Sequence, residues 1–262
     1  MSSTEDIFSR TQPPFDARVS YGADANQFLE VRLPTGKGPH PVLLNIHGGY
    51  WRAKYDLAHA SHLCEAIRLS GVATINVEYR RVGNPGGGWP GTFSDIRAAY
   101  QFVRQASGRF HIDTARLVVM GHSAGGQLAL CLAAHESSLQ RVISLAGVVD
   151  LKRAFALHLS NDAVVEFLGG KPDAVPEHYR EADPMELSVP AARQWLVHGS
   201  NDDTVPPEFS REYVKFKTSA KNVGKEENAA LVEIPHAGHF ELIDPSSEAF
   251  KQVISTVQVS VA

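Results

Sequence analysis

Gly121-His122-Ser123-Ala124-Gly125 closes one apolar run and opens a second apolar stretch of helical period. A serine held between two glycines on a tight strand-to-helix turn carries its hydroxyl at a strained, exposed backbone position. Glycine is required on either side because a side chain two places away would strike neighbouring backbone. A helix beginning just after Ser123 also sets the positive end of its dipole beside a developing anion, with the Ala124 N–H as a first oxyanion donor. Such a serine performs acyl transfer, and it needs a base to take its proton and a carboxylate to orient that base. Both types follow in the chain, acid before base. Asp202 and Asp203 stand in LVHGSNDDTVPPE after one apolar run, and His236 and His239 in VEIPHAGHFEL after the next. A further glycine pair, in His47-Gly48-Gly49-Tyr50-Trp51, also follows an apolar run. Small residues there let the Gly49 and Tyr50 amides reach an oxyanion.

The elements that must position these residues alternate along the chain. Apolar runs at 41–46, 72–77, 117–120, 142–148, 195–197 and 231–234 are mostly continuous Val, Ile and Leu, the pattern of parallel strands covered on both faces. Between the first two, Ala60, Leu63, Cys64 and Ile67 fall at helical spacing, and Ile96, Ala99, Tyr100 and Val103 do the same between the next two. Upstream, 19–21 and 28–33 read as antiparallel edge strands. The expected architecture is α/β, a mostly parallel central sheet with helices on both faces. The stretch from about 151 to 190 is too long for an ordinary connection, so part of it is expected to form a short helical lid. No linker, repeat or charge block divides the 262 residues, so a single domain over 1–262 is expected.

Composition narrows the partners. A formal net charge of −4 offers no basic surface for nucleic acid. No apolar run approaches a bilayer span, and the N-terminus, acidic and proline-bearing, lacks a secretory pattern. Cys64 and Cys131 both sit in apolar helical patterns and read as reduced, buried thiols. The cytoplasm is the expected compartment, and the sequence leaves a homodimer open. Gly86, Gly88 and Gly91 have G-x-G-x-x-G spacing, but several residues separate them from Val77 and Pro90 stiffens the turn. A flexible loop is expected there, not a dinucleotide cradle. His59, His62 and Glu65 fall outside the apolar stripe of their helix, and a solvated face accounts for them without a metal. No cofactor and no metal are expected. Tyr50, Trp51 and Trp89, with His122, are expected to border the substrate pocket.

Three separately placed motifs, GHSAG, HGxxDxxVP and GHF, resemble the nucleophile, acid and histidine loops of the α/β-hydrolase superfamily over most of the chain. The resemblance implies a triad of Ser123, Asp202 and His239, leaving Asp203 as a turn residue and His236 as a surface residue. HGGYW is similar to the HGGxW signature of kynurenine formamidases and related small esterases, which implies Gly49 and Tyr50 as oxyanion donors. The activity implied is hydrolysis of a small acyl ester or formyl amide through an acyl-enzyme. A fold retained as a binding module without catalysis is expected to lack a triad member, and here every position is filled.

Overall fold

The structure, a computed structural model, describes residues 7–219 and 227–262. Its centre is an eight-stranded sheet in the order β1-β2-β4-β3-β5-β6-β7-β8. The strands are β1 (Ala17–Ser20), β2 (Phe28–Arg32), β3 (His40–Ile46), β4 (Ala73–Val77), β5 (Ile112–His122), β6 (Arg141–Leu145), β7 (Arg193–Gly199) and β8 (Ala229–Ile234). β2 pairs antiparallel with both β1 and β4, and every other pairing is parallel.

Strand periodicity explains why the apolar runs are continuous. In β3, Val42, Leu44 and Ile46 enter the core on one face, and Leu43 enters the core on the other. The second face is covered by α1 (Ser61–Leu69), through Leu63, Cys64 and Ile67, and by α9 (Ala249–Val261), through Phe250, Val253 and Val257. The first face is covered by α2 (Gly91–Gln105) and α4 (Ala124–His135). Helix α4 is buried at every residue from Ala124 to Ala133, so it is packed on all sides and lacks a solvent face over that stretch. Each fully buried Leu, Val or Phe stabilises the sheet sandwich by about 1.5–3 kcal/mol relative to its exposed state.

Two strand boundaries differ most from the sequence reading. β5 begins at Ile112, five residues before the apolar run, because Ile112 and Asp113 pair with His40 and Pro41 before the register shifts to Val42 and Leu117. β6 stops at Leu145, because Ala146 takes a φ of 46° and turns the chain away from the sheet.

Residues 151–190 contain α5 (Leu151–Ala156), α6 (Ala163–Leu168) and α7 (Pro176–Ala182). Asp183 gathers this segment at its base: its carboxylate accepts from the N–H groups of Leu151, Lys152 and Met185. Arg52, just past the HGGYW loop, grips its middle by donating to both Glu166 oxygens and to Ser160. No helix among the described residues is long and apolar enough to cross a membrane.

Candidate active site

Four loops at the C-terminal ends of parallel strands meet above the sheet, where open α/β folds bind ligands. Ser123 follows β5 with φ 56° and ψ −119°, a backbone state closed to most side-chain-bearing residues and sustained here by its surroundings. Those surroundings are close. A Cβ on Gly121 would lie 2.0 Å from the Gly125 carbonyl oxygen, and one on Gly125 would lie 2.1 Å from that of Ile46. The Ser123 N–H donates to Leu145 O, and Ser123 O accepts from Gly126, Gln127 and Val148, so the turn is bonded to strand and helix together. Ala124 is the first residue of α4, where an N–H has no intrahelical acceptor.

His239, on the loop after β8, donates through Nδ1 to Asp202 Oδ2 at 2.7 Å. That bond fixes the tautomer and leaves Nε2 as the ring's proton acceptor. Asp202, after β7, is buried, and its Oδ1 accepts from the amides of Thr204 (2.9 Å) and Val205 (2.8 Å). His198 lies 3.2 Å from Oδ2 through Nε2, which also donates to Val205 O, while its Nδ1 accepts from Ser210 Oγ. Burial works against ionisation of Asp202, but the bonds from His198 and His239 and the His239 charge outweigh it and hold the carboxyl well below its ordinary range. Asp203 is exposed at a turn, and His236 is exposed at φ 62°.

The HGGYW loop is braced from behind. Glu78 accepts from His47 Nε2, from the amides of Leu57 and Tyr79 and from Arg81, and the Tyr79 hydroxyl donates to His47 O. Burial opposes the charge of Glu78, yet His47 and Arg81 keep its carboxyl below the usual range. Gly49 takes φ 110° and Tyr50 φ 50°, conformations that favour glycine. The Tyr50 hydroxyl donates to Thr204 O at 3.0 Å and so ties the HGGYW loop to the loop that carries Asp202. Gly48 is pressed against the elbow, and a Cβ there would stand 3.0 Å from Ser123 Cβ.

Ser123 and His239 line one cavity of about 430 Å³ with Gly49, Tyr50 and His122. His122 donates through Nε2 to His239 O at 3.1 Å, and its ring lies 4.5 Å from the His239 ring. Burial, and then the nearby His239, push it well below the ordinary histidine pKa, so it is a neutral neighbour of His239.

Trp51 and Trp89, expected on the pocket wall, are elsewhere. Trp51 is 1% exposed, stacked on Phe167 at 4.5 Å and bonded to Gln127 Oε1. Trp89 stacks on Phe93, and its backbone N–H donates to Phe167 O. Both serve as anchors for α6, because Arg52 and Phe167 draw that helix over the HGGYW loop. His59, expected on a solvated helix face, is instead 5% exposed in a short 3-10 turn ahead of α1 and lines the cavity. Burial first, and then His47, push its pKa down to about 3, so it stands neutral there. Sequence pattern also passed over Phe8, Tyr55, Ser160, Thr204 and Phe240, which complete the lining. Phe240, one residue past the histidine, and Thr204, two past Asp202, carry a positional signal.

The structure superposes with a TM-score of 0.80 on a truncated carbohydrate esterase from gut microbiota, 21% identical, covering 96% of this chain and 99% of that one. The inhibited esterase B of Lactobacillus rhamnosis gives 0.79 at 17% identity, covering 98% and 91%. These likenesses show the α/β-hydrolase fold. In sequence, the chain is 26% identical over 256 residues to the probable carboxylic ester hydrolase LipM of Mycobacterium tuberculosis, covering 89% of this chain. It spans only 58% of LipM's own length. The sequence model of the BD-FAE family matches residues 29–216, from β2 to beyond β7 and including Ser123 and Asp202, and the chain belongs to that family.

Proposed function

We propose that this protein is a serine-dependent carboxylic ester hydrolase. The observation that carries the reading is the sharing of one cavity by a strained Ser123 and by His239, whose Nδ1–H lies 2.7 Å from a buried Asp202. His239 Nε2 takes the Ser123 proton as Oγ attacks the ester carbonyl, and Asp202 stabilises the resulting imidazolium. The amides of Gly49, Tyr50 and Ala124 hold the oxyanion, each such donor contributing about a hundred- to a thousandfold in rate. His239 then protonates the departing alcohol, and water, deprotonated by the same nitrogen, releases the acid and restores the hydroxyl.

A cavity of about 430 Å³ suits a small ester. LipM and esterase B, whose names describe ester hydrolysis, support esters over formyl amides, although the HGGYW loop keeps N-formylkynurenine as the informative competitor. Turnover of p-nitrophenyl acetate and butyrate is expected to exceed that of N-formylkynurenine on one preparation. Turnover of the formyl amide alone would replace this reading with an arylformamidase.

A further inference from the structure

Residues Ile7 to Arg10 lie against the catalytic cavity, although no local pattern in their sequence directs them there. Phe8 is part of the cavity wall together with Ser123 and His239. Its ring stands 5.5 Å from Phe240, 5.2 Å from His59 and 5.8 Å from Tyr55. It is fastened on both sides. Ile7 is 2% exposed in the core shared with α9, and Arg10 donates two bonds of 2.7 Å to the carboxylate of Asp244, on the segment that follows His239. Phe8 itself is 45% exposed, an aromatic ring held in place at a cavity mouth. A second cavity of about 360 Å³, edged by Lys54 and Asp56, shares Phe8, Tyr55 and His59 with the first. The ring of Phe8 therefore stands between the two.

The side of the site follows from the chemistry. His239 must hand its proton to the leaving group, so that group lies beside His239. Phe240 is 5.2 Å from the His239 ring and leads directly to Phe8. We propose that Phe8, positioned by Ile7 and the Arg10–Asp244 pair, is a specificity-determining residue that closes the leaving-group end of the cavity and limits the size of the alcohol released. The inference rests on the esterase reading above.

The test compares kcat/KM for 2-naphthyl acetate with that for ethyl acetate in the full chain and in Phe8→Ala, Phe8→Trp and Arg10→Met. Phe8→Ala is expected to raise the naphthyl-to-ethyl ratio about tenfold and Phe8→Trp to lower it, because differences of one or a few carbons in a pocket shift selectivity by about 10–200-fold. Arg10→Met, which frees the segment but keeps the ring, moves the ratio in the same direction as Phe8→Ala. The ratio for p-nitrophenyl octanoate over acetate, which varies only the acyl side, stays within about twofold. A naphthyl-to-ethyl ratio that is flat across both Phe8 variants overturns the proposal, as does a shift confined to the acyl series. Absence of any ester turnover in the unaltered chain overturns the esterase reading and this inference with it. Turnover that Ser123→Ala abolishes, with a flat ratio, overturns the role of Phe8 alone.

Discussion

Replacing Asp202 with Asn preserves volume and removes one buried charge. In the unaltered chain that side chain is fully buried and its carboxylate faces four N–H groups, on His239 (2.7 Å), His198 (3.2 Å), Thr204 (2.9 Å) and Val205 (2.8 Å). In the proposed mechanism His239 becomes cationic as Ser123 loses its proton. Two unit charges about 4 Å apart at an effective dielectric constant of about 20 attract by about 4 kcal/mol. With about 1.4 kcal/mol per tenfold in rate, the lost attraction costs about a thousandfold in kcat. An amide can also turn its NH₂ toward His239 Nδ1, favouring the tautomer that cannot accept the serine proton, and the same exchange in serine proteases costs about 10⁴-fold. The expected loss is therefore about 10³- to 10⁴-fold, read as the pre-steady-state burst with p-nitrophenyl acetate, with a circular dichroism melt to show that the variant is folded. Asp203→Asn is the matched control. Its side chain is exposed and, among the described residues, accepts only from Thr204 Oγ1 at 3.3 Å, so its kcat stays within about twofold. An Asp202→Asn enzyme within tenfold of the unaltered rate, or a larger loss in Asp203→Asn, refutes the assignment of the acid.

Gly121→Ala must push backbone apart at a 2.0 Å contact and is expected to lose about 3 kcal/mol of stability in urea unfolding, whereas Gly108→Ala, with nothing within 4 Å, changes by less than about 0.5 kcal/mol. Glu78→Gln leaves Arg81, 4% exposed, without the carboxylate 3.0 Å away, costing about 3 kcal/mol and lowering kcat more than it raises KM as the oxyanion loop loosens. Trp51→Phe keeps the stack on Phe167 but loses the bond to Gln127, so about 1 kcal/mol of stability is lost while KM for p-nitrophenyl acetate is unchanged. Asp202 and Glu78 both have depressed folded pKa values, so their stabilisation is fully present above the unfolded carboxyl range near pH 4 and is lost as pH falls through the folded values. Acid-melt curves of Asp202→Asn should accordingly be shallower below pH 4 than those of the unaltered chain.

Much of this arrangement was legible because it is local. The parallel strands announce themselves as apolar runs, and each chemical residue sits in the loop immediately after one of them, so order along the chain carried Ser123, Asp202 and His239 to one edge of the sheet. The glycines of GHSAG were legible for the same reason, since their contacts are with the turn they flank. What was not legible depends on distant partners. Aromatic type suggested Trp51 and Trp89 as pocket walls, but Phe167, more than seventy residues away, takes both rings into the anchor of α6. His59 was placed by extending the period of α1 backward, yet a 3-10 turn from Leu57 to Ala60 breaks that period and rotates the ring into the cavity. Phe8 meets Tyr55, His59 and Phe240, none of them near it in sequence, and no spacing rule joins them.

The nucleophile is tested most directly by mass spectrometry of the protein after exposure to diethyl p-nitrophenyl phosphate. One diethylphosphoryl group is expected per chain, on the peptide carrying Ser123, with ester turnover lost in proportion and no adduct in Ser123→Ala. An unmodified chain, an adduct on another residue, or ester hydrolysis that survives in Ser123→Ala would contradict the assignment of Ser123.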